Sequence, residues 1–201
     1  VDGIKGAYFS VYAPSAYKVE LVGSFNYWNG EEHNLFVRWD SSGIWEGFIP
    51  GIGENELYKF RIYSDYDDKI RDKADPYAFK TELMPKTASV IYEDRHTWKD
   101  KNWMSKKRIK HNDIEAPYSI YEVHLGSWRK NGDGHSLGYK ELAEELVNYV
   151  KDMGFTHVEF LPITEHPYYP SWGYLSTSYF APTSRFGDPE ELKELIDAFH
   201  N

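Results

Sequence analysis

The chain contains no cysteine in 201 residues. That excludes a disulfide framework and any thiolate site, and it fits a reducing compartment. Basic charge is also short: 23 Lys and Arg stand against 32 Asp and Glu, a net charge of -9. Nucleic-acid binding runs on cationic neutralisation of phosphates, so no nucleic-acid partner is expected. The densest basic stretch, Lys106, Lys107, Arg108 and Lys110, is brief and flanked by acids, and reads as a solvated linker. No apolar run approaches the roughly 20 residues of a membrane-spanning helix, and Val1–Lys5 lacks the apolar core of a secretory leader. No H-x-x-x-H or H-E-x-x-H pair occurs among the eight histidines, so neither a metal site nor a cofactor is expected.

Aromatic residues are abundant, at 17% of the chain, with 41% hydrophobic residues overall. Such a composition builds ordered cores, and the length allows two domains. Residues 1–94 read as short strands cut by turn signals. Ala7–Ala13 and Lys18–Val22 alternate, Ile44–Ile49 is closed by Pro50-Gly51, and Leu57–Tyr63 puts Tyr58, Phe60 and Ile62 on one face. Strands at this spacing predict an antiparallel β-sandwich. Trp39 and Trp45 are expected in its core. Trp28 lies in the turn-rich Gly23–Gly30 segment between Asn26 and Asn29, and reads equally as core or as a flat platform for a sugar, with Lys59 as a nearby donor.

From Arg95 to Pro117 the chain turns polar, which places a linker at 95–117, pinned by Trp98 and Trp103. After it comes a different pattern: a strand at Tyr118–His124, a loop with Gly126, Gly132 and Gly134, and a helix at about Tyr139–Met153. The helix carries Leu142, Leu146, Tyr149, Val150 and Met153 on one stripe and Gly154 at its C-terminal cap. A strand at His157–Leu161 follows, and Pro162 stops it. Asp188-Pro189-Glu190-Glu191 then opens a second helix, with Leu192, Leu195, Ile196 and Phe199 inward. This βαβα run over 118–201 predicts parallel strands, the first two βα units of a truncated (β/α)8 barrel. Sheet edges left open in this way predict self-association.

Ile163–Gly187 reads as one long connection ordered by its aromatics Tyr168, Tyr169, Trp172, Tyr174, Tyr179, Phe180 and Phe186. It either packs its own core over a barrel rim or presents aromatic faces beside Ser171, Gly173, Ser176, Thr177 and Ser178 to a sugar. If the fold is a barrel, the connection lies at the C-terminal face, where such enzymes bind substrate.

Tyr121–Trp128, Met153–His157, Glu165-His166-Pro167 with Ser171–Tyr174, and Tyr179–Gly187 together resemble the bacterial 1,4-α-glucan (glycogen) branching enzymes of the α-amylase superfamily. Gly23–Trp28 and Asp75–Ala78 resemble the glycogen-binding type module, an immunoglobulin-like β-sandwich, that precedes their barrel. The likeness covers essentially the whole chain, and isoamylases and trehalose-releasing hydrolases share parts of it. It implies a cytoplasmic glycosyltransferase acting on α-1,4-glucan by retaining double displacement. The family's nucleophile Asp and acid/base Glu are expected beyond Asn201, so no catalytic residue is assigned within the chain. This segment alone is expected to be inactive, and Glu159, Glu165 and Asp188 are expected to be structural. The resemblance makes Tyr174 the tyrosine that stacks under the sugar at the cleavage subsite. It gives Trp172 and Gly173 the shaping of that turn, and His166 a neighbouring place. It matches Trp28 and Lys59 to a glucan site in the module, where the second platform tryptophan of related sites is replaced by Ile70 in the Asp67–Arg71 hairpin. A stand-alone glucan-binding or scaffold protein is the competing reading.

Overall fold

Period-two alternation dictates the first strands, and the side chains follow it. The structure, a computed structural model, describes residues 2–107, 109 and 113–201, so Arg108 and Lys110 of the basic stretch fall outside the described residues. The chain divides into two units, Val1–Glu93 and Asp94–Asn201.

In the first unit, β1 (Gly6–Tyr12) turns Phe9 and Val11 inward and leaves Tyr8 and Tyr12 exposed. It pairs antiparallel with β4 (Ile44–Pro50), whose other edge takes β3 (Phe36–Val37). A second antiparallel sheet is centred on β5 (Leu57–Ser64), which pairs with β2 (Ala16–Gly23), β6 (Ile70–Lys73) and β7 (Ser89–Val90). Phe9, Val11, Trp45 and Ile49 from one sheet meet Val19, Leu21, Tyr58 and Phe60 from the other in a single core. Phe9 stands edge-on to Tyr58 at 5.0 Å, a favoured aromatic geometry. Trp45 is buried as expected, and its Nε1 donates to the Ala13 carbonyl at 3.1 Å. Trp39 is not in the core. The β3–β4 hairpin closes where Arg38 N–H donates to Ile44 O, so Trp39 falls in the protruding turn and is 94% exposed.

In the second unit, β8 (Ile120–Val123) and β9 (His157–Phe160) pair in parallel, Val123 opposite Phe160. Between them lie α1 (Leu125–Trp128), where a loop was expected, and α2 (Tyr139–Asp152). The α2 stripe buries Leu142, Leu146 and Val150, but Met153 sits one residue past the helix and is 59% exposed. Gly154 then takes φ 78°, and Phe155 N–H returns to the Val150 carbonyl, closing the helix end. The last helix, α3 (Pro189–His200), starts as its sequence dictates: Asp188 Oδ1 accepts from Glu191 N–H and Glu191 Oε2 from Asp188 N–H. Of its inward set Leu195 is fully buried, while Leu192, Ile196 and Phe199 are half-buried.

The stretch after β9 is not one irregular connection. It contains β10 (Thr164–Glu165) and β11 (Ser178–Pro182), paired antiparallel, with a 3-10 turn at Tyr169–Ser171 between them. Residues 94–103 run along α3: Lys193 Nζ lies 2.6 Å from Asp94, His96 Nε2 3.0 Å from Asp197, and the Trp103 ring stacks on His200 at 3.8 Å. Trp98 remains partly exposed, edge-on to His96.

Phe60 is fully enclosed by both sheets of the first unit. Phe60→Ala is expected to destabilise that unit by about 3–5 kcal/mol, read as a lowered urea midpoint with an unchanged slope.

Candidate functional site

The segment after β9 is organised by one buried carboxylate. Glu165 is 2% exposed. Its Oε2 accepts from Ser184 N–H (2.9 Å) and Ser184 Oγ (2.7 Å), and its Oε1 from Arg185 Nη1 (2.8 Å), His166 N–H (3.0 Å) and Thr183 Oγ1 (3.2 Å). A carboxylate is removed from water at acceptable cost only when its lone pairs are met in this way. The contacts tie the residue leaving β9 to the segment that enters α3. Backbone bonds from Thr183 N–H to Ile163 O (2.7 Å) and Thr177 N–H to Glu165 O (2.8 Å) complete the clamp.

The clamp orders the loop, and the aromatics do not. Apart from Phe186, they lie outward: Tyr168, Trp172, Tyr174, Tyr179 and Phe180 are all more than half exposed. The expectation that these rings order the loop by their own burial is thus corrected. Ser178, Ala181 and Thr183 occupy the interior instead.

Leu161 N–H bonds to the Val123 carbonyl, so the loop leaves from the C-terminal ends of both parallel strands. His124, next after Val123, faces Trp172 in a near-parallel stack (5.7 Å, 27°) and Tyr169 at 6.0 Å. The Arg185 guanidinium, held by Glu165, lies 5.7 Å over the Tyr169 ring. Trp172 (φ 56°) and Gly173 (φ 88°) both adopt left-handed backbone. A Cβ on Gly173 would stand 2.2 Å from the Pro162 carbonyl oxygen, so this turn requires glycine. The turn leaves Tyr174 67% exposed, its N–H tied to Ser171 O at 3.1 Å. Tyr169, Trp172 and Tyr174 thus line one exposed rim. His166 does not join it: the ring is buried, Nδ1 lies 2.9 Å from the Thr164 carbonyl, and Nε2 has no hydrogen-bond partner among the described residues. His124, which the sequence analysis did not single out, does join the rim, and its place directly after a strand was the available signal. Burial, helped by the nearby charges of His166 and Lys130, holds the His124 imidazole below its ordinary range.

The acids are engaged elsewhere. Glu165 is clamped, Asp188 caps α3, and Glu159 is exposed on β9. Asp100, Asp197 and His200 bring possible ligand atoms within 4.8 Å of one another, a grouping that spacing along the sequence did not reveal. Asp100 is paired with His200, and Asp197 with His96 and Lys99 N–H, so hydrogen bonds account for the arrangement.

In the first unit, Trp28 N–H donates to Gly23 O at the end of β2, and the indole is 37% exposed. Lys59 lies opposite Val22, at the same end of the ladder, and its Nζ donates to Thr87 Oγ1 at 2.6 Å. Ile70 does not sit beside them. It pairs with Tyr63, four residues along β5, about 13 Å away.

Residues 1–78 match the family profile of Carbohydrate-binding module 48 (Isoamylase N-terminal domain). The whole chain is similar to proteins named 1,4-alpha-glucan branching enzyme GlgB. The protein from Albidiferax ferrireducens is 52% identical over 97% of this chain, that from Rubrobacter xylanophilus 51% over 100%, and that from Bacillus subtilis 48% over 100%. The matches cover 31%, 27% and 32% of those proteins, so the chain spans under a third of their length. A crystal structure of a candidate alpha amylase from Salmonella typhimurium superposes with a TM-score of 0.73 at 21% identity, over 98% of this chain and 31% of that one, which is a likeness of fold. Among the described residues, no helix is long and apolar enough to cross a membrane.

Two outcomes are expected. Glu165→Ala takes the shared acceptor from the half-buried Arg185 and from the donors of His166, Thr183 and Ser184, and costs about 3–5 kcal/mol in urea unfolding, with faster proteolysis between Thr164 and Arg185. His124 titrates with a midpoint below 6.5 in a histidine-resolved NMR series. Its depressed value disfavours the folded state only as pH falls below the unfolded-state value near 6.5, and costs nothing above it.

Proposed function

We propose that the chain, which belongs with the 1,4-alpha-glucan branching enzymes and matches their N-terminal region, is part of a protein that builds α-1,6 branches into an α-1,4-glucan. In this reading, residues 1–94 are an immunoglobulin-like sandwich that engages glucan. Residues 118–201 begin a (β/α)8 barrel, and the protein works in the cytoplasm.

One observation carries the reading: the exposed rim of Tyr169, Trp172 and Tyr174 at the C-terminal ends of parallel β8 and β9. A pyranose offers an apolar C–H face for stacking and a belt of hydroxyls. A tyrosine ring held still by its backbone meets that face at little entropic cost. Tyr174 takes the sugar at the bond to be cleaved, and Trp172 and Gly173 set the angle of the turn, while His166, buried beside Thr164, does not reach it. Trp28 stacks on a glucan chain elsewhere, with Lys59 donating to its hydroxyls.

Cleavage of the α-1,4 link passes through a covalent glycosyl-enzyme formed by a carboxylate nucleophile. A second carboxyl group protonates the leaving oxygen, then activates the incoming 6-hydroxyl. Water must be kept from that intermediate if a sugar hydroxyl is to win over hydrolysis. Glu165 and Asp188 are committed to structure, and no carboxylate of this chain takes either role.

In the complete protein, Tyr174→Ala is expected to lower the rate of branch formation about a hundredfold while leaving the melting temperature within a few degrees. Unchanged kinetics would remove Tyr174 from the site. The 201-residue chain on its own should leave the iodine absorbance of amylose unchanged. A blue-to-red shift would show that it carries the activity. The isoamylase description of the module profile favours one alternative, a debranching relative. That activity would release new reducing ends from glycogen and create no α-1,6 links.

A further inference from the structure

The residue that follows β8 meets the rim twice. The His124 ring lies near-parallel to Trp172 at 5.7 Å and tilted against Tyr169 at 6.0 Å. Its own place is fixed from three sides. Val123, just before it, stands in the parallel ladder opposite Phe160, and the Val123 carbonyl accepts from Leu161 N–H at 3.0 Å. The His124 carbonyl accepts from the N–H groups of Ser127 and Trp128, both at 3.1 Å, at the start of α1. The imidazole Nδ1 lies 2.9 Å from Ser127 Oγ, an ordinary hydrogen-bond length, which restrains rotation of the ring.

The turn that carries Tyr174 is secured differently. Ser171 N–H donates to Tyr168 O, Trp172 N–H to Tyr169 O and Tyr174 N–H to Ser171 O, all within the turn itself. Bonds of this kind set the shape of a turn and leave its placement on the sheet to other contacts. Gly173 packs on Pro162 at the end of β9, and the Arg185 guanidinium lies over Tyr169. The contact with the end of β8 is made by His124, assisted by Gly126. A Cβ on Gly126 would stand 2.1 Å from the Tyr169 hydroxyl oxygen and 3.1 Å from His124 Cε1, so the phenol seats directly on the α1 backbone beside the imidazole.

An imidazole suits this place. It is flat enough to lie against the indole and small enough to leave the rim open, and Ser127 meets its polar edge. Burial, with the nearby charges of His166 and Lys130, keeps it uncharged, so it needs no counter-ion against the two rings. A misplacement of about 1 Å at a reacting centre can cost a hundredfold in rate, so a ring that fixes this turn matters to turnover more than to folding.

We infer that His124 is a positioning residue for the transfer reaction: its ring carries the fixed geometry of the β8 end into the turn and so holds Tyr174 where the sugar stacks. The inference rests on the reading of Tyr174 given above. It adds a residue that acts through Trp172 and Tyr169 and does not itself touch the sugar.

The test is a double-substitution cycle in the complete protein, read as kcat and KM for branch formation on amylose, with the melting temperature taken for every variant. His124→Ala is expected to lower kcat about tenfold with KM within about twofold, and to add less than about twofold to the loss already caused by Tyr174→Ala. His124→Phe keeps a ring against Trp172 and should recover kcat to within about threefold of the unaltered protein. Should His124→Ala fold poorly, Ser127→Ala decides. Ser127 is exposed and its loss frees the imidazole, so kcat should fall about threefold only where Tyr174 is present. Unchanged turnover in the deciding variant, an equal loss in both backgrounds, a change confined to KM, or a Phe variant as slow as the Ala variant would each overturn the positioning role and leave Tyr174 in the site. If Tyr174→Ala itself leaves turnover unchanged, the reading of Tyr174 falls and this inference falls with it.

Discussion

The ion pair of Glu165 with Arg185, at 2.8 Å, ties the start of the segment between β9 and α3 to its end. Two opposite charges out of water gain little on balance unless other groups meet their remaining valences. Here the hydroxyls of Thr183 and Ser184 and two backbone amides do so. The loop therefore has a polar interior, and its stability does not depend on hiding its rings. That is the physical condition under which Tyr169, Trp172 and Tyr174 can stay at the surface in fixed positions. The guanidinium serves twice, since it also lies over the Tyr169 ring. A stacking surface held by a buried charge network loses little entropy when a ligand arrives, because its geometry is set beforehand.

The first unit reaches a similar end by the opposite route. Its interior is apolar and supplied by both sheets, with Val19, Leu21 and Phe60 wholly enclosed. Strand alternation then forces the intervening residues outward, which is why Tyr8 and Tyr12 are exposed on β1 and Lys59 is on the outer face of β5. Rings and hydroxyls are presented as a consequence of a core that needs every second residue. In both units the aromatic surface belongs to segments whose own fold is secured by something else.

The strands and helix ends were legible because their signals are local. The Asp188-Pro189 start of α3 and the Gly154 stop of α2 depend on a few consecutive residues and on backbone angles, and both stand as the sequence predicts. The alternating residues of β5 and the helical stripe of α2 fell as expected for the same reason, except Met153, which lies past the end of its helix. Trp39 was misplaced because hydrophobicity says nothing about where a hairpin closes. The hairpin β10–β11 was missed because strands of two and five residues with serine, threonine and exposed aromatics give no period. The distance of Ile70 from Lys59 needed the register of β5 with β6, which the two strands in isolation do not specify.

By itself the sequence determined the kinds of elements, their order, the family likeness and the aromatic segment that the functional reading turns on. These are short-range properties, written in neighbouring residues and in periods of two and 3.6. Only the tertiary structure decided that Glu165 is the clamp, and that His166 is buried while His124 lies against Trp172. Each of these is a meeting of residues far apart in the chain. Whether a carboxylate is buried, and what surrounds it, depends on which distant donors the packed chain brings within about 3 Å.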